Sequence, residues 1–92
     1  MTEITLSRLH GKTLQAARAA AEGMARKMQA RYHVEYLWDG NTLRFKRAGA
    51  AGELALDETE ARLRIQLAAL LTPLRPLIEL QIKKFFDENF SV

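Results

Sequence analysis

The chain contains no cysteine. That excludes a disulfide staple, a thiolate nucleophile and the usual cysteine-built zinc site, and it agrees with a reducing compartment. Histidine is scarce too: only His10 and His33 occur, and neither has a neighbour at metal-ligand spacing. The five glycines are dispersed through turns, so no glycine-rich phosphate loop exists. Ser7 and Ser91 lack a Gly-x-Ser-x-Gly context. No apolar run approaches the ~20 residues that span a bilayer, and Met1 to Ile4 do not begin a signal peptide. The expectation is a soluble, cytoplasmic protein with no catalytic residues, no metal and no cofactor, and so not an enzyme.

What remains is an ordinary globular composition, 48% hydrophobic and 27% charged over 92 residues. That length makes residues 1–92 one domain, burying about 60–65% of the surface its unfolded chain exposes. The thin stability margin leaves room for a partner subunit. The formal net charge is only +3, but its distribution is uneven. Between Lys12 and Arg31, five basic residues face a single acid, Glu22.

Thr2 to Arg8 alternates, with Ile4 and Leu6 opposing Thr5 and Ser7, which is the strand period. After Gly11 the period becomes helical from Lys12 to Tyr32. Leu14, Ala17, Ala21, Met24, Met28 and Tyr32 recur at threes and fours, with the basic residues off the stripe. His33 ends this helix, where an imidazole suits the carboxyl end of the dipole, while His10 at the strand–helix junction reads as structural or solvated.

The next segment reads as a four-strand meander whose turns set a register. A type I′ turn at Asp39-Gly40 sets Tyr36 against Leu43, Val34 against Phe45 and Glu35 against Arg44. Ala48-Gly49 sets Phe45 against Gly52 and Leu43 against Leu54. The loop Asp57 to Glu60 sets Leu54 against Leu63 and Gly52 against Ile65. All three turns agree on one phase, with an apolar inner face and an outer row Glu35–Arg44–Glu53–Arg64 of alternating sign. Gly52 leaves room for the Phe45 ring, or marks an edge bulge. Thr72-Pro73 then reads as a cap and first position for a last helix running to about Asn89. The predicted fold is α+β: an antiparallel meander sheet in the order β-α-β-β-β-β-α, with both helices on one face.

Around the last helix, Leu77, Ile78, Ile82, Phe85, Phe86 and Phe90 spread across roughly 220°, wider than the ~100° stripe that covers one sheet. Leu74, Ile78, Ile82 and Phe85 suffice for the core. Leu80, Phe86 and Phe90 are then the interface candidates, unless the sheet and first helix engulf more of this helix. The basic face of the first helix, Arg18, Arg26, Lys27 and Arg31, is the alternative contact surface, for a regulator that binds nucleic acid or an acidic partner. No exposed aromatic pair offers a platform for bases, so nucleic acid is the weaker partner.

Tyr36-Leu37-Trp38-Asp39-Gly40-Asn41-Thr42-Leu43-Arg44-Phe45 resembles the Y-x-W-x-G-x-x-L-x-F hairpin of the polyhydroxyalkanoic acid system protein family. Arg8-Leu9-His10, the helix at Ala16-Ala17-Arg18 and Leu70-Leu71-Thr72-Pro73-Leu74 look similar too, so the likeness covers nearly the whole chain. The resemblance implies a small bacterial cytoplasmic protein associated with polyhydroxyalkanoate granules or their synthesis. It carries no catalytic residues to transfer. The expected partners are the granule surface or granule proteins, with a homodimer as the expected assembly. The element order also looks like a shortened helix-grip domain, which adds a small hydrophobic ligand between sheet and helix as a further alternative.

Overall fold

The computed structural model describes residues 2–90. β1 (Thr2–Leu9) leads into α1 (Leu14–Tyr32), then β2 (Glu35–Asp39), β3 (Thr42–Arg47), β4 (Ala50–Leu56) and β5 (Glu60–Leu67). A 3₁₀ segment, Ala69–Leu74, delivers the chain into α2 (Arg75–Asn89). The five strands form one antiparallel sheet in the order β1-β5-β4-β3-β2, so β1 closes the meander beside the last strand. Both helices lie on its apolar face. The core gathers Ile4 from β1, Ala17, Ala21 and Ala25 from α1, Leu43, Leu54, Leu63 and Ile65 from the sheet, and Ile82 and Phe86 from α2.

The registers at β3–β4 and β4–β5 are those the turns predict: Leu43 faces Leu54, Phe45 faces Gly52, and Leu54 faces Leu63. At β2–β3 the pairing differs by two residues. Tyr36 faces Phe45, Trp38 faces Leu43, and Asp39 faces Thr42. The two-residue loop is therefore Gly40-Asn41, with φ positive at Gly40 (61°) but not at Asp39 or Asn41. That is the type II′ pattern, with glycine first. Asp-Gly also suits a type I′ turn, but in the observed turn the Asn41 carbonyl accepts from the Leu56 amide at 3.0 Å and Asp39 lies beside Arg44. A two-residue shift preserves the faces. It brings Trp38 onto the inner row and sets Glu35 against Lys46 and Leu37 against Arg44.

The outer row therefore runs Leu37–Arg44–Glu53–Arg64–Thr5. Its arginines find acids on the edge strands instead of Glu53: Arg44 lies 3.5 Å from Asp39 and Arg64 3.8 Å from Glu3. On the inner face the Phe45 ring lies against Gly52. A Cβ built there would sit 2.5 Å from the Arg64 carbonyl and 2.9 Å from the ring, so the glycine serves close packing.

Both helix starts show local chemistry. Thr13 caps α1, its hydroxyl accepting from the Ala16 amide at 3.1 Å. His33 closes α1 in the left-handed conformation (φ 58°), and its backbone N–H donates to the Gln29 carbonyl. Thr72 does not cap α2. It lies inside the 3₁₀ segment, its hydroxyl 3.1 Å from that of Thr2, and Leu74 takes the cap position with no side-chain bond. The tighter 3₁₀ turns use Thr72-Pro73, and Pro76 falls in the first α-turn, where a missing amide is cheap.

Candidate functional surfaces

Three places concentrate the chemistry. The first is the contact between α1 and the edge strand β2. Glu22, the lone acid of the basic helix, receives bonds from the Tyr36 hydroxyl (2.6 Å), the Trp38 indole N–H (2.9 Å) and the Arg26 guanidinium (2.9 Å). One turn earlier, Arg18 lies over the Trp38 ring, 4.6 Å from its centroid, and donates to Asn41 Oδ1 at 3.2 Å. The Tyr36 hydrogen bond, followed by that of Trp38, holds the Glu22 carboxyl below its ordinary range. Donating to that carboxylate pushes the Tyr36 phenol up. Both Glu22 oxygens and one face of the Trp38 ring are thus engaged within the chain. The aromatic signature of the hairpin works as a clamp that ties α1 to the sheet edge.

The second place is an apolar pocket of about 70 Å³ between the sheet and the two helices. Its walls include Ala21, Ala25, Met24 and Met28 of α1, Phe45 of β3, and Ile82 and Phe85 of α2, and every lining residue is hydrophobic. The space follows from the sequence of α1. Its buried residues are alanines, which leave volume that leucines would fill. Met24, Met28, Phe45 and Phe85 are the half-buried members, so the mouth lies among them.

The third is the outer side of α2. Of the three interface candidates, Leu80 is exposed (66%), whereas Phe86 and Phe90 are each only 1% exposed. The two phenylalanines are core, and the expected exposed edge is corrected to that extent. Their rings pack edge-to-face at 5.2 Å, and Phe90 lies 6.5 Å from the ring of buried His10. His10 accepts the Lys12 amide at Nδ1 (3.0 Å), and its Nε2 lies 2.8 Å from the Asp57 carbonyl. A carbonyl can only accept, so Nε2 is the donor of that bond and Nδ1 the acceptor of the other. This histidine is a structural plug that seats the end of α2. The Asp57 side chain shapes the same loop, its carboxyl lowered to about 2 by the amides of Thr59 and Glu60.

With those aromatics inside, the exposed apolar residues are leucines. Leu77 (56%) and Leu80 (66%) sit on the side of α2 away from Ile82 and Phe86, and Leu70 (85%) and Leu74 (47%) are exposed in the preceding segment. Leu74 was expected in the core. At 100° per residue it falls at the rim of the buried arc, and the 3₁₀ entry turns it outward.

The basic face divides. Arg18 and Arg26 are committed to the clamp. Lys27 and Arg31 are exposed and form no ion pair among the described residues. Among the described residues, no three His, Asp or Glu are grouped to hold a metal ion, and no helix is long and apolar enough to cross a membrane. Ser91 lies outside the described residues.

The architecture defines a small α+β domain in which two helices cover one face of an antiparallel sheet. The family model described as "Putative polyhydroxyalkanoic acid system protein" matches residues 4–90. The chain belongs to that family. No curated protein and no solved structure matched the chain.

Proposed function

We propose that this protein is a non-catalytic docking module of the polyhydroxyalkanoate system that meets the hydrophobic granule surface through the outer side of α2. The observation that carries the reading is the set of exposed leucines, Leu70, Leu74, Leu77 and Leu80. Their exposures amount to about two and a half fully exposed leucines on one short stretch, whereas the other exposed leucines, Leu9 and Leu37, stand singly on β1 and β2. Isolated exposed leucines need no explanation, but a group of four on a helix and its lead-in marks a contact surface. Family membership supplies the setting, since a polyester granule presents apolar surface to water.

The test is co-sedimentation of the purified protein with amorphous polyhydroxybutyrate particles, comparing wild type with Leu77→Glu and Leu80→Glu. Both residues are already solvated, so these variants stay folded, and loss of sedimentation is the expected result. Unchanged sedimentation would remove α2 from the contact. A wild type that stays in solution but self-associates through the same leucines would assign the surface to a homodimer and reject direct docking.

A further inference from the structure

A second binding function, independent of the leucine surface, lies on the opposite side of α2. From the apolar pocket together with the uncommitted cations that flank its methionine rim on α1, we infer that the protein binds a free aliphatic carboxylate, with the chain end in the pocket and the carboxylate at Lys27 and Arg31. The pocket lining consists only of hydrophobic residues, so the inserted part of the ligand can carry no polar atom that needs a partner. At about 70 Å³ the space is roughly half that of a cavity that accepts benzene. It therefore takes the last few carbons of a linear chain and rejects a ring. Two of the four rim residues are methionines, Met24 and Met28, whose unbranched side chains can re-pack around a guest.

The rim also supplies a charge. Lys27 and Arg31 stand three residues after Met24 and Met28, which places each pair side by side on the helix surface, about 5–6 Å apart at Cβ. Neither cation is paired among the described residues, unlike Arg18 and Arg26 further round the helix. The one acid of the helix, Glu22, is turned to β2 and occupied by Tyr36 and Trp38. On α2, Glu88 follows Phe85 by three residues and Lys84 precedes it by one, so that flank adds no net charge. A chain leaving the pocket past Met24 and Met28 thus emerges beside two free positive charges. That combination suits a carboxylate with a hydrocarbon tail better than a neutral alkane or an alcohol.

The test uses the full chain labelled with ¹³C at the methionine methyls and titrated with octanoate, 1-octanol and benzoate below any micelle concentration. Octanoate should shift the Met24 and Met28 resonances saturably, at millimolar concentration. Benzoate should not. Replacing both Lys27 and Arg31 by alanine should weaken octanoate about fivefold and leave octanol unchanged, because two exposed cations contribute only modestly. These two residues are solvated, so the double variant keeps its fold, which circular dichroism checks. Ala25→Leu, which fills the pocket, should abolish both responses.

Absence of a saturable methyl shift with octanoate would overturn the inference. So would equal binding of octanoate and octanol with no dependence on Lys27 and Arg31, since the site would then be an apolar void without selectivity. The Leu77→Glu and Leu80→Glu variants should bind octanoate as the wild type does, so failure of granule docking and failure of this site are read separately.

Discussion

Replacing Glu22 by alanine should loosen α1 from the sheet without touching the apolar core. The carboxylate accepts three bonds, from Tyr36, Trp38 and Arg26, at 2.6, 2.9 and 2.9 Å. A hydrogen bond to a charged group contributes about 1.5–3 kcal/mol when well shielded. Here the Glu22 side chain is 28% exposed, and water can reach the phenol and indole once the carboxylate is gone. The sum is therefore discounted to a net loss of about 2 kcal/mol. For a domain of this size that lowers Tm by about 8–16 °C. Urea unfolding followed by circular dichroism, which also reads variants of Trp38, the single tryptophan, measures the loss directly.

The pH dependence has a fixed sign. Glu22 is held below its ordinary value of 4.5, chiefly by Tyr36. Its contribution is complete above the unfolded value and fades as pH falls through the lowered folded one. The gap between wild type and Glu22→Ala should thus be widest near neutrality and narrow in acid. Combining Glu22→Ala with Trp38→Phe should cost less than the sum of the two single changes, because both remove one bond. A Glu22→Ala variant within about 0.5 kcal/mol of wild type at neutral pH, the range of an ordinary surface change, would refute the clamp.

Two further substitutions test the packing beneath the sites. His10→Ala should lower stability by about 3 kcal/mol in chemical denaturation, since it opens a cavity beside Phe90 and strands the Lys12 amide and the Asp57 carbonyl; a loss under about 1 kcal/mol would contradict the plug. Gly52→Ala should cost about 2–3 kcal/mol, because its methyl would meet backbone at Arg64 as well as the Phe45 ring; pairing it with Phe45→Leu should recover only the part due to the ring.

Most of the sheet is legible in the sequence because strand phase and turn chemistry constrain each other. Leu43, Leu54 and Leu63 share a row in the expected and the observed pairing alike, since a one-residue slip would bury arginines. The β2–β3 turn shows where that logic ends. Asp39-Gly40 and Gly40-Asn41 both preserve the faces, so side-chain phase does not separate them. The surroundings of α2 are less legible. Its hydrophobic arc is wide enough that periodicity does not say which flank meets the sheet. The side is decided by tertiary partners, Phe90 seating on His10 and Arg8 pairing with Asp87. Phe86 is thereby buried while Leu77 and Leu80 remain outside.

The Glu22 clamp left a trace that pattern reading passed over: one acid among five cations, four residues before Arg26, facing a strand that alternates Tyr36 and Trp38. Such a cluster needs residues distant in sequence, so helix and strand periods do not reveal it separately. The pocket has a similar origin. An alanine-lined helix reads as a good helix former, and only its placement over Phe45 and Phe85 turns small side chains into empty space.

Docking of α2 on a polyester surface through its outer leucines is the proposal on which the function rests. The most direct measurement is co-sedimentation with amorphous polyhydroxybutyrate particles for wild type, Leu77→Glu and Leu80→Glu, each checked for fold by circular dichroism. Burying a leucine is worth about 1.5–3 kcal/mol, so one charged replacement should weaken binding by at least tenfold and the pair should abolish it. Folded variants that sediment as the wild type does would contradict the claim.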